Sequence, residues 1–167
     1  MNPMIPAAWS VALLLALPVA AAPAKAAPLQ GAVTQVIDGG TVRFSAPGQA
    51  AITVRVRDID VPETCQPWAP EAKAALVALA LNKTASLQPS GRDAQGRTVG
   101  ALFVEGVNIG QRMVEDGHAW SVHGRNDHGP YIKQERMAKA LARGLHSAPG
   151  AVMPREWRRS RPCAPAG

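Results

Sequence analysis

Arg55-Val56-Arg57-Asp58-Ile59-Asp60-Val61-Pro62-Glu63-Thr64-Cys65 joins an alternating pattern to a turn crowded with charge. Just upstream, Ile52, Val54 and Val56 alternate with Thr53, Arg55 and Arg57, so a strand here sends the apolar set into a core and both arginines to the opposite face. The pleat then breaks. Asp58, Asp60 and Glu63 follow within six residues, and Pro62 cannot continue a ladder, which places the carboxylates on the loop that leaves the strand. Two fixed cations and three carboxylates meet at one strand end.

Working upstream, Ala32 to Ile37 reads as a first strand and Thr41 to Ser45 as a second, joined by the tight turn Asp38-Gly39-Gly40. Pro47-Gly48-Gln49 turns the chain into the strand that carries Arg55, giving a three-stranded meander. Downstream the period changes. Between Pro67 and Asn82, Ala72, Leu76 and Leu79 with Ala75 and Ala80 form an apolar helical stripe. Thr84 to Pro89 and Thr98 to Val104 are a fourth and a fifth strand around the polar turn Gly91 to Arg97.

Asn108 caps a short helix that ends at Gly117, and Ala119 to Val122 is a short extended piece. After a loop at residues 124–129, Pro130 opens a third helix, running to about Arg143. Its expected core face is Met137, Leu141 and Leu145 with Ala138 and Ala142. Residues 148–167 lack periodicity and are rich in Pro and Arg, which describes a basic tail. Five short strands with about three helices predict an α+β chain built on a five-stranded Greek-key barrel of the OB type; an open α+β sheet shares the same signals.

The chain has 167 residues, enough for one domain with its own core, and its 18 Lys and Arg against 12 Asp and Glu give a formal charge of +6. Such a balance favours polyanionic partners. Val11 to Ala22 is a short apolar run containing Pro18, and Ala24-Lys25-Ala26 is a small-x-small cleavage site, so residues 1–26 read as a signal peptide. The run is too short and broken to span a bilayer comfortably, and no stable membrane insertion is expected. Export leads to the periplasm or beyond the cell. In that oxidising setting the two cysteines, Cys65 and Cys163, form either a disulfide or two free thiols; a bridge would stabilise by up to about 4–5 kcal/mol.

Hydrolysing a phosphodiester requires delivering water to phosphorus and stabilising the extra charge on the phosphoryl oxygens. Arginine suits the second task, because its planar fork donates two parallel hydrogen bonds at any physiological pH. Arg55 and Arg97 come from strand ends that a closed barrel brings together. Glu63 is the candidate to deprotonate the water, and Asp60 or Asp38 can hold a hard divalent cation through oxygen. The plainer reading is a set of surface ion pairs at loop ends. His118, His123, His128 and His146 lack the tight spacing of a metal site.

These residues also carry a resemblance. Val36-Ile37-Asp38-Gly39-Gly40-Thr41 is similar to the motif V-x-D-G-D-T of the thermonuclease, or staphylococcal nuclease-like, family; Arg55-x4-Asp60-x-Pro62-Glu63 fits its R-x4-D-x-P-E. Asp93-Ala94-Gln95-Gly96-Arg97 fits its D-x-x-G-R turn, and Gly117-His118-Ala119-Trp120 resembles its G-x-A-W segment. Glu156-Trp157-Arg158-Arg159 followed by Cys163 looks like the tail of exported members, with Cys65 as the cysteine's partner.

The resemblance implies an OB-fold domain over residues 27–147 and a calcium-assisted nuclease that cuts DNA and RNA with low sequence preference. By motif, Arg55 and Arg97 would stabilise the pentacovalent phosphate and Glu63 would act on the water. Asp60 would ligate calcium with the Val61 carbonyl, and Asp38 would support that site. Gln95 and His123 fall at substrate-facing positions where the founding member has tyrosines. Gly40 stands where the family motif has a calcium-ligating aspartate, so the alternative is a weakened or inactive OB module that binds nucleic acid. A third reading, from another class, is an envelope protein that binds a protein partner. A monomer is expected in each case.

Overall fold

The computed structural model describes residues 27–122, 128–161 and 163. The meander is β1 (Leu29–Asp38), β2 (Thr41–Ser45) and β3 (Ile52–Val56), followed by a two-residue strand β4 (Ile59–Asp60) and helix α1 (Ala69–Ala80). Next come β5 (Thr84–Arg92), β6 (Thr98–Val104), the short β7 (Val107–Asn108) and α2 (Ile109–Glu115). The chain finishes with β8 (Trp120–Ser121), α3 (Ile132–Ala140), a 3-10 turn at Gly144–Ser147 and α4 (Pro154–Ser160).

β1 pairs antiparallel with both β2 and β5, β2 with β3, and β5 with β6. The circle closes where β3 runs parallel to β6 in the register Val54↔Thr98, Arg55↔Val99 and Val56↔Gly100. Five strands therefore form a closed barrel of the OB type, as the strand pattern predicts. Val33, Val42, Phe44, Val54, Leu87 and Leu102 fill it without exposure, and α1 lays Ala72, Leu76 and Ala80 against it. Burying one such leucine is worth roughly 1.5–3 kcal/mol.

Asn108 does cap α2, its side chain accepting from Gln111 N at 3.1 Å. Gly117 then takes φ +76, where a Cβ would run into the Arg143 carbonyl. Trp120 is 3 % exposed and part of the interior.

Two expectations need correction. Met137 and Leu141 are 56 % and 55 % exposed, so they are not the core face of α3. Ala138 and Leu145 are buried as expected, and the other buried residue of α3 is Glu135, whose carboxylate turns inward to accept from Ser121 N at 2.9 Å and from Lys139 Nζ. A buried carboxylate with charged and amide donors overrides the apolar period. The second correction concerns the tail, where seven residues form α4 with Pro154 buried at its start. Among the described residues, no helix is long and apolar enough to cross a membrane.

Candidate active site

Arg55 owes its position to backbone pairing on both sides of β3. It lies opposite Thr41 on β2 and Val99 on β6, and Val56 N donates to Gly40 O at 2.8 Å. At the hairpin, Asp38 Oδ1 accepts from Gly40 N at 2.8 Å, so this carboxylate serves the turn. Gly40 leaves room beside Arg55: a Cβ there would lie 3.4 Å from Arg55 Nη1 and 3.2–3.3 Å from the Val61 methyls.

After β3 the chain is pinned again at once. Asp58 takes φ +66 and its carbonyl accepts from Val122 N at 3.0 Å, while β4 pairs Ile59 with Ser121 and Asp60 with Trp120. Ile59 and Val61 are buried on either side of Asp60, so the pleat turns the Asp60 side chain away from the core. Asp60 therefore sits on a short bridged strand, where a free loop was expected. Its Oδ1 lies 3.7 Å from Arg55 Nη2.

Glu63 is held by a residue that the sequence pattern does not single out. Gln66 is 5 % exposed, donates its amide to Glu63 O at 2.7 Å and accepts Glu63 N on Oε1 at 3.1 Å. Its Nε2 donates to Val152 O at 2.7 Å, which ties the loop to the segment leading into α4. The same loop is tied covalently: Cys65 and Cys163 form a disulfide with Cα atoms 5.6 Å apart. Nothing in the spacing marks a lone glutamine between cysteine and proline; Cys163 was the only local signal that tail and loop meet.

The tail brings a third arginine. Arg158 Nη1 donates to Glu63 Oε1 at 2.5 Å, and its two terminal nitrogens lie 3.4 Å from Asp60 Oδ1 and Oδ2. Partial burial pulls its pKa down, but the Glu63 bond and the Asp60 charge win and hold the guanidinium above its ordinary value. A cleft of about 340 Å³ opens beside it, lined by Arg55, Arg57, Asp60, Arg155 and Arg158 among others. Arg55 comes from β3 and Arg57 from the residue after it, and Arg155 and Arg158 come from α4. Such a concentration of guanidinium suits a phosphate backbone.

Arg97 stands one residue ahead of β6, and by alternation it shares the face of Val99, which lies opposite Arg55. Its Nε donates to Asp93 Oδ2 at 2.6 Å and its amide to Asp93 Oδ1 at 2.9 Å. Gln95 donates its amide to the same oxygen at 3.1 Å and is exposed on the turn. Contacts thus gather Arg55, Asp60, Glu63 and Arg158, while Arg97, at the entrance of the adjoining strand, is paired with Asp93. Asp38 lines a different cleft with Pro62, Thr64 and Lys73. His123 lies outside the described residues.

The model of the family described as staphylococcal nuclease homologue matches residues 53–148, more than half of the chain and all of the stretch from Arg55 to Arg97. The chain belongs to that family. A 34 % identical relative from Escherichia coli, "Protein ParB", aligns over 89 % of this chain and 89 % of its own length. An "Uncharacterized endonuclease" of Haemophilus influenzae is 31 % identical over 76 % of this chain and 71 % of itself. The "Micrococcal nuclease" of Shigella flexneri is 30 % identical over 80 % and 83 %. The matched region of this staphylococcal nuclease homologue stops before α4, so Arg158 lies beyond it.

Calcium, which the resemblance implied, fits poorly on the donors of this homologue as they are arranged. Asp60 has both oxygens turned to Arg158 and one near Arg55, and Glu63 is bonded to Arg158. Asp38 is engaged in its turn, and Gly40 supplies no carboxylate. Among the described residues, no group of three His, Cys, Asp or Glu side chains is placed to hold a metal ion. A hard dication wants several free oxygen ligands.

Proposed function

We propose that this protein hydrolyses the phosphodiester bonds of DNA and RNA with low sequence preference, acting as a monomer. The observation that carries the reading is the convergence of Glu63, Asp60, Arg55 and Arg158 at one end of a closed barrel from a nuclease family. Glu63 takes a proton from a water whose oxygen forms the new bond to phosphorus. Arg55 and Arg97 carry the charge that builds on the phosphoryl oxygens, and the bond to the leaving sugar oxygen breaks, that oxygen taking a proton from solvent. The names of the Haemophilus and Shigella relatives support this class of reaction.

Low sequence preference is supported by the chemistry of the site, since arginines on phosphate read no base. Export to the periplasm or the medium is part of the proposal. It is supported by the signal-like segment 1–26 and by a disulfide that an oxidising compartment would preserve. The calcium assistance expected from the family would require the ion to displace Arg158 from two carboxylates.

The test is cleavage of labelled single-stranded DNA and of RNA by the oxidised chain and by Glu63→Gln. Loss of cutting by about 10²–10⁴-fold in the variant is expected for removal of a general base. One observation favours the second reading, a non-catalytic binding module: the candidate base is itself bonded to Arg158. Salt-sensitive DNA binding with no cutting by the native chain would establish that module instead.

A further inference from the structure

A cation already stands between the two carboxylates of the site. The same nitrogen, Arg158 Nη1, meets Glu63 Oε1 and Asp60 Oδ1, and Nη2 meets Asp60 Oδ2. One guanidinium therefore does what a bridging ion does: it cancels the repulsion between two carboxylates and fixes their separation. Its delivery is built into the chain. α4 is tied through Cys163 to Cys65, two residues from Glu63, and through Val152 to Gln66, which also bonds the Glu63 amide. Glu63 and its cation are thus held by the same two anchors.

We propose that Arg158 is a tethered cation of this site, bridging Asp60 and Glu63 in the place a divalent ion would take, and that a substrate phosphate must draw Arg158 off Glu63 before Glu63 can accept a proton. Arg158 is a positioning residue in the resting site and a phosphate ligand once substrate is bound. The side chain is 48 % exposed, so the bridge is screened by water and a phosphate can compete for it. The competitor arrives in the right place, because Arg158 lines the cleft that also holds Arg55, Arg57 and Arg155. A phosphodiester entering there meets the planar donor fork, and the fork leaves the carboxylate as it turns.

This inference rests on the proposed hydrolysis for its second half only; the bridging half concerns the free protein. Calcium chloride alone is titrated calorimetrically into four oxidised chains: the native, Arg158→Ala, Gly40→Asp and the double variant, with a thermal melt of each as a check on folding. The native chain is expected to bind calcium at least ten-fold more weakly than Arg158→Ala, and the double variant most tightly, because a carboxylate at position 40 would project beside Arg55 and Val61. A fifth chain, Arg158→Lys, should fall between the native chain and Arg158→Ala, since an ammonium keeps the charge but not the two-nitrogen fork.

Equal calcium affinity in the native and Arg158→Ala chains, both folded, would overturn the bridge. DNA cleavage in chelator and in calcium is then compared for the same chains. A native chain that cuts in chelator and an Arg158→Ala chain that has lost at least ten-fold of that rate support the phosphate hand-over; equal rates overturn it. Cutting by the native chain in calcium but not in chelator overturns the hand-over and leaves the hydrolysis reading standing; if no chain cuts DNA in chelator or in calcium, both fall together, and the calcium titration still decides the bridge.

Discussion

The barrel wall and the tail helix both place arginines at the same site, by opposite means. Arg55 stands on β3, whose backbone is paired to β2 on one side and β6 on the other, so its Cα is fixed whatever its side chain does. Arg158 stands on a seven-residue helix, shorter than any helix that is stable in water by itself. That helix is held by the buried Pro154, the Gln66 to Val152 hydrogen bond and one disulfide. A guanidinium fixed by strand pairing suits charge stabilisation that must not move. A guanidinium on a short tethered helix suits an exchange of partners.

The sharpest way to break this contrast is to damage each side at its strongest point. Leu76→Ala removes a fully buried side chain from the α1 face against the barrel and should lower global stability by about 2–5 kcal/mol, measured by urea unfolding. Replacing both cysteines by serine opens a link between residues 98 apart and should lower it by about 2–4 kcal/mol. The two losses should differ in kind. Leu76→Ala loosens the barrel that carries Arg55, whereas the cysteine variant should keep barrel amides protected from hydrogen exchange while those of α4 exchange freely. Equal loss of protection in the two regions would show that the tail is part of one cooperative unit.

How much of this was legible follows the same division. Alternation and the Asp38-Gly39-Gly40 and Pro47-Gly48 turns placed β2, β3 and β6 to within a residue or so, because each depends on neighbours in sequence. The α1 stripe was legible for the same reason. The helix α3 and its buried Ala138 were legible too, but Met137 and Leu141 were not core residues, because their period is local, whereas the burial of Glu135 depends on the Ser121 amide on β8. α4 was missed because seven residues with Pro154 first and basic residues last show no apolar period. Its signs were the proline, Glu156 in the first turn and Arg158 with Arg159 in the last, which together mark a helix complementing its dipole. The contact from Arg158 to Glu63 spans 95 residues, and Gln66 works through a backbone carbonyl 86 residues away. No pattern in a single chain encodes those distances.

A smaller effect comes from pH, and it separates the barrel's helical flank from the site. Burial lowers the pKa of His118, against the opposing pull of Asp116 and Glu71, and its Nδ1 accepts from Trp68 Nε1 at 3.1 Å. Burial, with Lys139, lowers that of His146, against Glu135. For both, the unfolded chain binds protons first as pH falls. Their contribution is therefore complete above the ordinary value of 6.5 and is lost progressively below it. Urea midpoints should fall between pH 7 and pH 5, and His118→Gln with His146→Gln should flatten that slope. A slope unchanged in the double variant would assign the pH response to other groups.

The smallest expected change in stability is the one that separates structure from function most cleanly. Arg158→Ala removes ion pairs whose arginine is half in water, and exposed pairs of that kind contribute only about 0.2–1 kcal/mol. The melting temperature should hardly move, since Pro154, Gln66 and the disulfide still hold α4. The salt dependence of single-stranded DNA binding should change: one fewer phosphate contact lowers the slope of log affinity against log salt by about 0.7. Arg55→Ala should lower that slope equally. A large fall in melting temperature with an unchanged slope would reverse the assignment, making Arg158 a clamp for the tail and leaving phosphate to the strand arginines alone.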